Sequence, residues 1–318
     1  MTLEDFDPEE FDRHVLRTPD ADPFCSASDW ILSAREAWSA GAETWVHHGE
    51  HGYGAFLRLE QAGGFSVLHS FDTMWGFSCP LIGARPKELA KEWAEHCRAH
   101  ADKWDFLVIN GLIVGSRLFR ALVEQFEAKH TVYECAQMRR WRTSLEAGLD
   151  GFLAQRSPKF RQTLRAALRK SEALGIEMEV ADSAPLETVF QRILAIEGRS
   201  WKGPERTGLL SFDMLGFYRQ LADRVARRGG LRVLFARHED ADIGYVLGGV
   251  FADTYRGFQF SYDNRYAQYS IGNVMQYRQI RDLCAEGVRT YDLGIDMDYK
   301  RRWAEVPMDT VSLAVMRV

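Results

Sequence analysis

The decapeptide Tyr291-Asp292-Leu293-Gly294-Ile295-Asp296-Met297-Asp298-Tyr299-Lys300 gathers three carboxylates, two tyrosines and a lysine at the end of a strand-like run. Loops at strand ends hold reactive groups on a rigid support. An amine nucleophile must lose a proton, which a carboxylate takes directly or through water, and a tyrosine can protonate a leaving thiolate. The same charges also suit a solvated surface loop. A second place for chemistry is Ala195-Ile196-Glu197-Gly198-Arg199-Ser200-Trp201-Lys202-Gly203. Trp201 lies four residues after Glu197, so on a continuing helix they share a face and build one wall of a pocket. A core tryptophan beside a surface glutamate fits the same spacing.

Two features suit anions. In the turn Tyr269-Ser270-Ile271-Gly272-Asn273, Ser270 is placed to cap the following helix and Gly272 to let a ligand approach the backbone. The N–H groups of Gly272, Asn273 and Val274 would then seat a pyrophosphate, since helix N-termini carry unpaired donors and the positive end of the macrodipole. A plain capped helix is the simpler alternative. The segment Ser157–Leu174 holds Lys159, Arg161, Arg165, Arg169 and Lys170, with Arg156 just before it. Arg161, Arg165 and Arg169 fall at intervals of four on one face. Phe160, Leu164 and Leu168 line another, as on a packed helix. The basic face suits cofactor phosphates, a lipid-linked sugar or a tRNA acceptor stem, or simply water. His47, His48 and His51 lie in His-His-Gly-Glu-His, which lacks the His-Glu-x-x-His spacing and a helical setting, so an incidental role is expected. His96 and His100 are four apart on a helix without an evident third ligand. No nucleophile elbow, dinucleotide fingerprint or P-loop is present.

The elements that position these groups follow from periodicity and breakers. Helices are expected at Asp22–Trp38 with Ser26 as cap, Pro86–His100, Ser116–Lys129, Ser157–Leu174, Leu186–Trp201, Phe212–Arg227 and Val274–Glu286. Strands are expected at Glu43–His47, Tyr53–Gln61, Phe65–Phe71, Phe106–Asn110, Val132–Thr143, Ile176–Ala181, Leu231–Arg237, Ile243–Ala252, Tyr255–Tyr262, Val288–Gly294 and Thr310–Arg317. Ala62-Gly63-Gly64 forms a hairpin turn. Both halves read as helices, a hairpin set, then strand–helix–strand, which hints at a duplication near residue 145. The class is α/β or α+β.

Composition narrows the partners. At 318 residues the chain is long enough for two domains, and its net charge of −5 argues against wholesale nucleic-acid binding. No apolar run approaches the roughly 18–20 residues that span a bilayer. The start, MTLEDFDPEEFD, is acidic and has neither the basic nor the apolar part of a signal peptide. Five widely spaced cysteines form no Cys-x-x-Cys pair, so a reduced, cytoplasmic setting is expected.

Four blocks carry a resemblance: SPKFRQTLRAALRKSEALG, ILAIEGRSWKG, FSYDNRYAQYSIGN and YDLGIDMDYKRRW. Together they resemble the GNAT acyltransferase superfamily, in its CelD-type or BioF2-like branch, which is related to the Fem-type aminoacyl transferases. DPFCSASDWILSAREAW and WDFLVINGL look like that branch's first, degenerate domain. Ile271 stands where the family usually has proline, and the usual phosphate-binding signature is absent. The resemblance implies tandem GNAT-like domains, each a mixed, largely antiparallel sheet flanked by helices: a degenerate domain over 1–145 and an acyltransferase domain over 146–318. It implies direct attack of an acceptor amine on an acyl-CoA thioester, typically acetyl-CoA, with no metal and no acyl-enzyme. The acceptor would be a small molecule, a sugar or a polysaccharide precursor. Aminoacyl-tRNA is the alternative donor, and a non-catalytic binding protein of the same fold the third possibility. On this reading Glu197, Asp296, Tyr299 and Lys300 are catalytic. Ser270, Gly272, Asn273, Arg161 and Arg165 bind the cofactor. Trp201, Tyr262 and Asp263 bind substrate.

Overall fold

The computed structural model describes residues 6–202, 208–211 and 214–317. The beginning of the acidic N-terminal arm, Gly203 and the expected helix start at Phe212 lie outside these. Two compact units divide the chain: Met1–Arg139 with Met308–Val318, and Arg140–Pro307.

The first unit opens with α1 (Pro8–Arg17), which Asp7 caps by accepting from the Glu9 and Glu10 N–H groups. In α2 (Ser28–Trp38) the expected cap fails. Ser26 lies outside the helix and its hydroxyl accepts from the Cys79 N–H instead, leaving Ala27 as an N-cap without a side-chain acceptor. β1 (Glu43–His48), β2 (Tyr53–Glu60) and β3 (Ser66–Ser70) pair antiparallel in sequence, with the two-residue β4 (Leu81–Ile82) beside the start of β2. α3 (Pro86–Ala99) then crosses to β5 (Phe106–Ile113), which runs parallel to β3. α4 (Arg117–Glu127), capped by Ser116, leads into β6 (His130–Ser144).

From Arg140 onward the chain belongs to the second unit. α5 (Gly148–Ala154) precedes the basic α6 (Pro158–Ala173), where Ser157 accepts from the Phe160 N–H and Pro158 fills the first turn. After β7 (Glu177–Val180) come α7 (Leu186–Glu197), α8 (Met214–Arg227), and the antiparallel set β8 (Leu231–His238), β9 (Ala241–Phe251) and β10 (Thr254–Tyr262). α9 (Ile271–Ala285) crosses to β11 (Thr290–Ile295), parallel to β10. The far edge of β11 pairs antiparallel with the last residues of β6, Arg140–Ser144.

The chain then returns to the first unit. β12 (Val306–Arg317) pairs antiparallel with β5. Each unit thus has one pattern: an antiparallel set of strands (β1–β3 in the first, β7–β10 in the second), a crossover helix, a parallel strand, and an antiparallel partner beyond it. The second unit is completed by its own first residues, Arg140–Ser144 at the end of β6, whereas the first is completed by β12, which follows the second unit in the chain. The mixed α/β class expected from the sequence is what the structure shows. The final strand, however, packs with the first unit rather than with 146–318, because a lone strand joins whichever edge its hydrogen bonds and apolar face fit.

In the second unit, α6 and α9 cover one face of the sheet. Leu164, Ile280 and Leu283 pack there against Tyr255, Tyr291, Leu293 and Trp303. Ala167, Ile271 and Met275 continue the layer against Leu234, Ile243 and Val246. Among the described residues no helix is long and apolar enough to cross a membrane.

Candidate active site

The second unit contains a fork in its sheet. β10 and β11 pair only over Thr254–Arg256 against Thr290–Asp292. Just past that point the register of β10 shifts against β9 between Gly257 and Gln259, and that of β11 against β6 between Asp292 and Gly294. Each bulge bends its strand, so the two part.

An ion cluster closes the root of the fork. Asp292 is fully buried and accepts from Arg256 Nη1 at 2.6 Å, Arg140 Nη1 at 3.0 Å and the Gly294 N–H at 2.7 Å. The carboxylate offsets two buried guanidiniums, which alone would be costly. Of the three carboxylates in the loop, Asp292 is therefore an anchor. Gly294 adopts a φ of +86°, and a Cβ there would stand 3.3 Å from Arg256 and 3.4 Å from Lys300 Nζ. The glycine makes room for both cations to approach the bend.

A lysine serves each arm. Lys202 Nζ donates to the Phe260 carbonyl on β10 at 2.8 Å and to Gln259 Oε1 at 3.2 Å. Lys300 Nζ donates to the Ile295 carbonyl at the end of β11 at 2.9 Å. Burial lowers the proton affinity of both. Lys300 falls to about 8, with Arg256 and Lys202 adding to the effect of burial.

Glu197 ends α7 with its carboxylate wholly buried. Tyr245 on β9 donates a short hydrogen bond to Oε1, and Lys202 Nζ stands 3.6 Å from the same oxygen. Oε2 is buried and has no hydrogen-bond partner among the described residues. Burial, and then the adjacent carboxylate, hold Tyr245 well above the ordinary phenol range, so it stays a donor. An acceptor oxygen kept dry with no partner is costly, and such groups cluster where a proton is to be received.

The other sequence-chosen residues separate into two groups. Tyr299 is 43% exposed with its ring 5.9 Å from Lys300 Nζ, and lost hydration together with the nearby Tyr262 phenol pushes its hydroxyl up to about 12. Trp201 is 44% exposed, so the shared buried face with Glu197 does not form. α7 stops at Glu197 with Gly198 as C-cap, and the chain beyond turns Lys202 rather than Trp201 toward the carboxylate. The Trp201 ring lies 5.7 Å from Lys202 Nζ. Lys202, Tyr245 and Arg256 are the residues that sequence reasoning passed over. Only Lys202 lay inside a quoted motif.

The remaining choices are tied to structure. Asp296 accepts from Trp141 Nε1 at 2.6 Å and from both Arg301 nitrogens, at 2.9 and 2.6 Å, so its proton-accepting face is taken. Asp263 is buried and accepts from Arg265 Nη2 at 2.7 Å and Arg199 Nε at 2.9 Å, which lower it to about 2. It caps the 3-10 turn before α9. Arg161 Nη1 donates to the Leu153, Ala154 and Arg156 carbonyls, closing the end of α5, and Arg165 Nε donates to the Arg161 carbonyl.

Two of the three donors in the expected pyrophosphate seat are engaged within the turn itself. Ser270 has φ 55° and ψ 38°, a left-handed conformation in which its hydroxyl makes no capping bond. Its carbonyl takes the Asn273 N–H at 2.9 Å and the Val274 N–H at 3.4 Å. A Cβ on Gly272 would fall 2.8 Å from the Phe260 ring, so the glycine serves helix-to-strand packing. Ile271, in the family's proline position, is fully buried and belongs to the core layer. Of the histidines, His47 bonds Glu92 at 3.0 Å and stacks on His96, both within the first unit.

Residues 158–301 match the family described as an acetyltransferase (GNAT) domain. No sequence match is found among curated proteins. Among solved structures the fold is similar to FemX, with a TM-score of 0.68 over 96% of both chains at 14% identity. It is also similar to L-PGS from Bacillus licheniformis, with a TM-score of 0.57 over 98% of this chain and 92% of that one at 11% identity. The C-terminal domain of a putative lysylphosphatidylglycerol synthetase from Agrobacterium fabrum gives 0.56 over 91% and 92% at 11% identity. At such identities the likeness is one of fold. The fork, its lysines and the buried carboxylate all lie in or against residues 158–301, the segment that matches the GNAT acetyltransferase domain.

Proposed function

We propose that the second unit transfers an acyl group from acyl-CoA to an acceptor amine, with Lys300 and Glu197 handling the protons. The observation that carries this reading is the strand fork with a lysine on each arm and a dry carboxylate beside one of them. The amine attacks the thioester carbonyl, forming the C–N bond as the C–S bond breaks. The ammonium proton of the adduct passes to Glu197 Oε2, the buried oxygen without a hydrogen-bond partner among the described residues. The leaving thiolate takes a proton from Lys300. A lysine near 8 matches a thiol, whose ordinary value is about 8.5, better than Tyr299 near 12 does. The tyrosine is therefore the lesser candidate for that step, and its exposed ring, with Trp201, suits contact with the acceptor. On this reading the first unit is a GNAT-like domain that lost its chemistry and retains the strand pattern.

An aminoacyl-tRNA donor is favoured by two observations. Two of the three donors in the turn before α9 are engaged within the chain, and α6 exposes Lys159, Arg165, Arg169 and Lys170. An ester donor needs the same attack and the same two proton transfers. Thermal shift and tRNA binding separate the donors. Saturating acetyl-CoA at a hundredfold excess over its Kd should stabilise the chain by about 2.7 kcal/mol. If acyl-CoA gives no shift while tRNA binds at low salt with an affinity that falls steeply as salt rises, the donor is aminoacyl-tRNA. If neither binds, the transfer reading fails.

A further inference from the structure

Glu10 and His14 lie four residues apart on α1 and share a face. His48 ends β1 against them. Each of the three offers a ligand atom, and these atoms all lie within 4.8 Å of one another. Glu10 and His14 are half-buried and His48 is exposed, which leaves a way in for an ion.

The cluster is held in place from behind. Tyr53, the first residue of β2, is 1% exposed. Its hydroxyl donates to Glu10 Oε2 at 2.8 Å, leaving Oε1 available. His48 stacks on the Tyr53 ring at 3.9 Å with the planes 9° apart. His14 meets the same ring edge-on at 5.3 Å, and Phe11 meets it at 5.4 Å. One buried phenol therefore orients all three side chains, as the outer-shell partner of a metal ligand does.

We propose that Glu10, His14 and His48 bind one borderline divalent transition ion of the Zn2+ class. One carboxylate oxygen and one nitrogen from each imidazole coordinate it, and water completes the shell. Two imidazoles with one carboxylate suit such an ion and not Mg2+ or Ca2+, which take oxygen ligands. The site lies wholly in the first unit and owes nothing to the transfer chemistry. Its effect is to clip α1 to the β1–β2 hairpin. The metal-free expectation arose because the His-His-Gly-Glu-His run has no helical partner of its own, while α1 supplies one from far upstream.

The test uses the full chain without a tag, freed of metal by a chelator. ZnCl2 is titrated by calorimetry and CoCl2 by absorption at neutral pH. One ion per chain should bind, and Tm should rise with Zn2+ by ligand linkage. His14→Ala and His48→Ala should each weaken binding roughly tenfold or more. Glu10→Gln, which keeps an acceptor for the Tyr53 hydroxyl, should weaken it with no loss of Tm in the absence of metal. His47→Ala should leave affinity unchanged. The assignment is overturned if no ion binds, or if His14→Ala and His48→Ala leave the affinity of wild type. Thiolate absorption in the cobalt spectrum, marking an ion held by the exposed Cys135 instead, overturns it equally.

Discussion

Tyr245 donates its hydroxyl to Glu197 Oε1 across the junction of β9 and α7, with neither side chain reaching solvent. The bond fixes the carboxylate and leaves Oε2 to one side of it. If that oxygen receives the acceptor's proton, Glu197→Gln should lower kcat on the order of 10²-fold or more. KM should change little. Tyr245→Phe keeps the base and loosens its aim, so a drop of roughly tenfold is expected. Steady-state kinetics on both variants, with far-ultraviolet dichroism as a fold control, measure the difference. Equal kcat in wild type and Glu197→Gln would remove Glu197 from the chemistry.

Lys300 yields a pH signature. Its folded value of about 8 lies below the ordinary value of about 10.4. As the proton donor it must be charged, so the rate should fall as pH rises through about 8. Lys300→Arg keeps the charge and does not titrate, so that limb should vanish from the profile. Stability moves the opposite way. Below pH 8 the charge is buried in full on folding, and between about 8 and 10.4 the unfolded chain holds the extra proton. Stability due to this group therefore rises across that window. Lys300→Met should raise Tm by a few degrees at pH 7, a gain that disappears near pH 10.5.

Asp292 is shared by Arg140 and Arg256, all three buried. Asp292→Asn leaves two guanidiniums without their common counter-charge and should cost about 3–5 kcal/mol in urea unfolding. A loss below 1 kcal/mol would mean the cluster is not the lock at the root of the fork.

Gly272 separates packing from ligand approach. Gly272→Ala brings a methyl to 2.8 Å from the Phe260 ring and should destabilise by roughly 1–3 kcal/mol. Adding Phe260→Leu should recover most of it. An Ala variant of unchanged stability but weakened donor affinity would instead restore the ligand role to this turn.

Local signals carried most of the fold. The basic and apolar faces of Ser157–Leu174 marked α6, and Ala62-Gly63-Gly64 marked the β2–β3 turn. Within the candidate site, Glu197 and Lys300 could be singled out because they sit in recognisable blocks. Trp201 was misplaced because the i,i+4 rule was carried past Gly198, where the helix ends. Ser270 was misplaced because its type favours capping while its backbone turns left-handed. Arg140 and Arg256 carried no signal, since their shared carboxylate lies far along the chain on a different strand. The final strand was assigned to the wrong unit for a related reason. A strand's residues specify its pleat and burial, and its partner is settled only by tertiary contact.

The late return of β12 has a consequence during synthesis. The first unit begins to emerge from the ribosome long before the second, yet its sheet lacks β12 until Val306–Arg317 is made. The second unit, running from Arg140 to Pro307, has all its strands in hand earlier. The order of completion is thus the reverse of the order of translation. β5 waits as an open edge while the later-made unit folds, and it is most exposed to unwanted pairing in that interval.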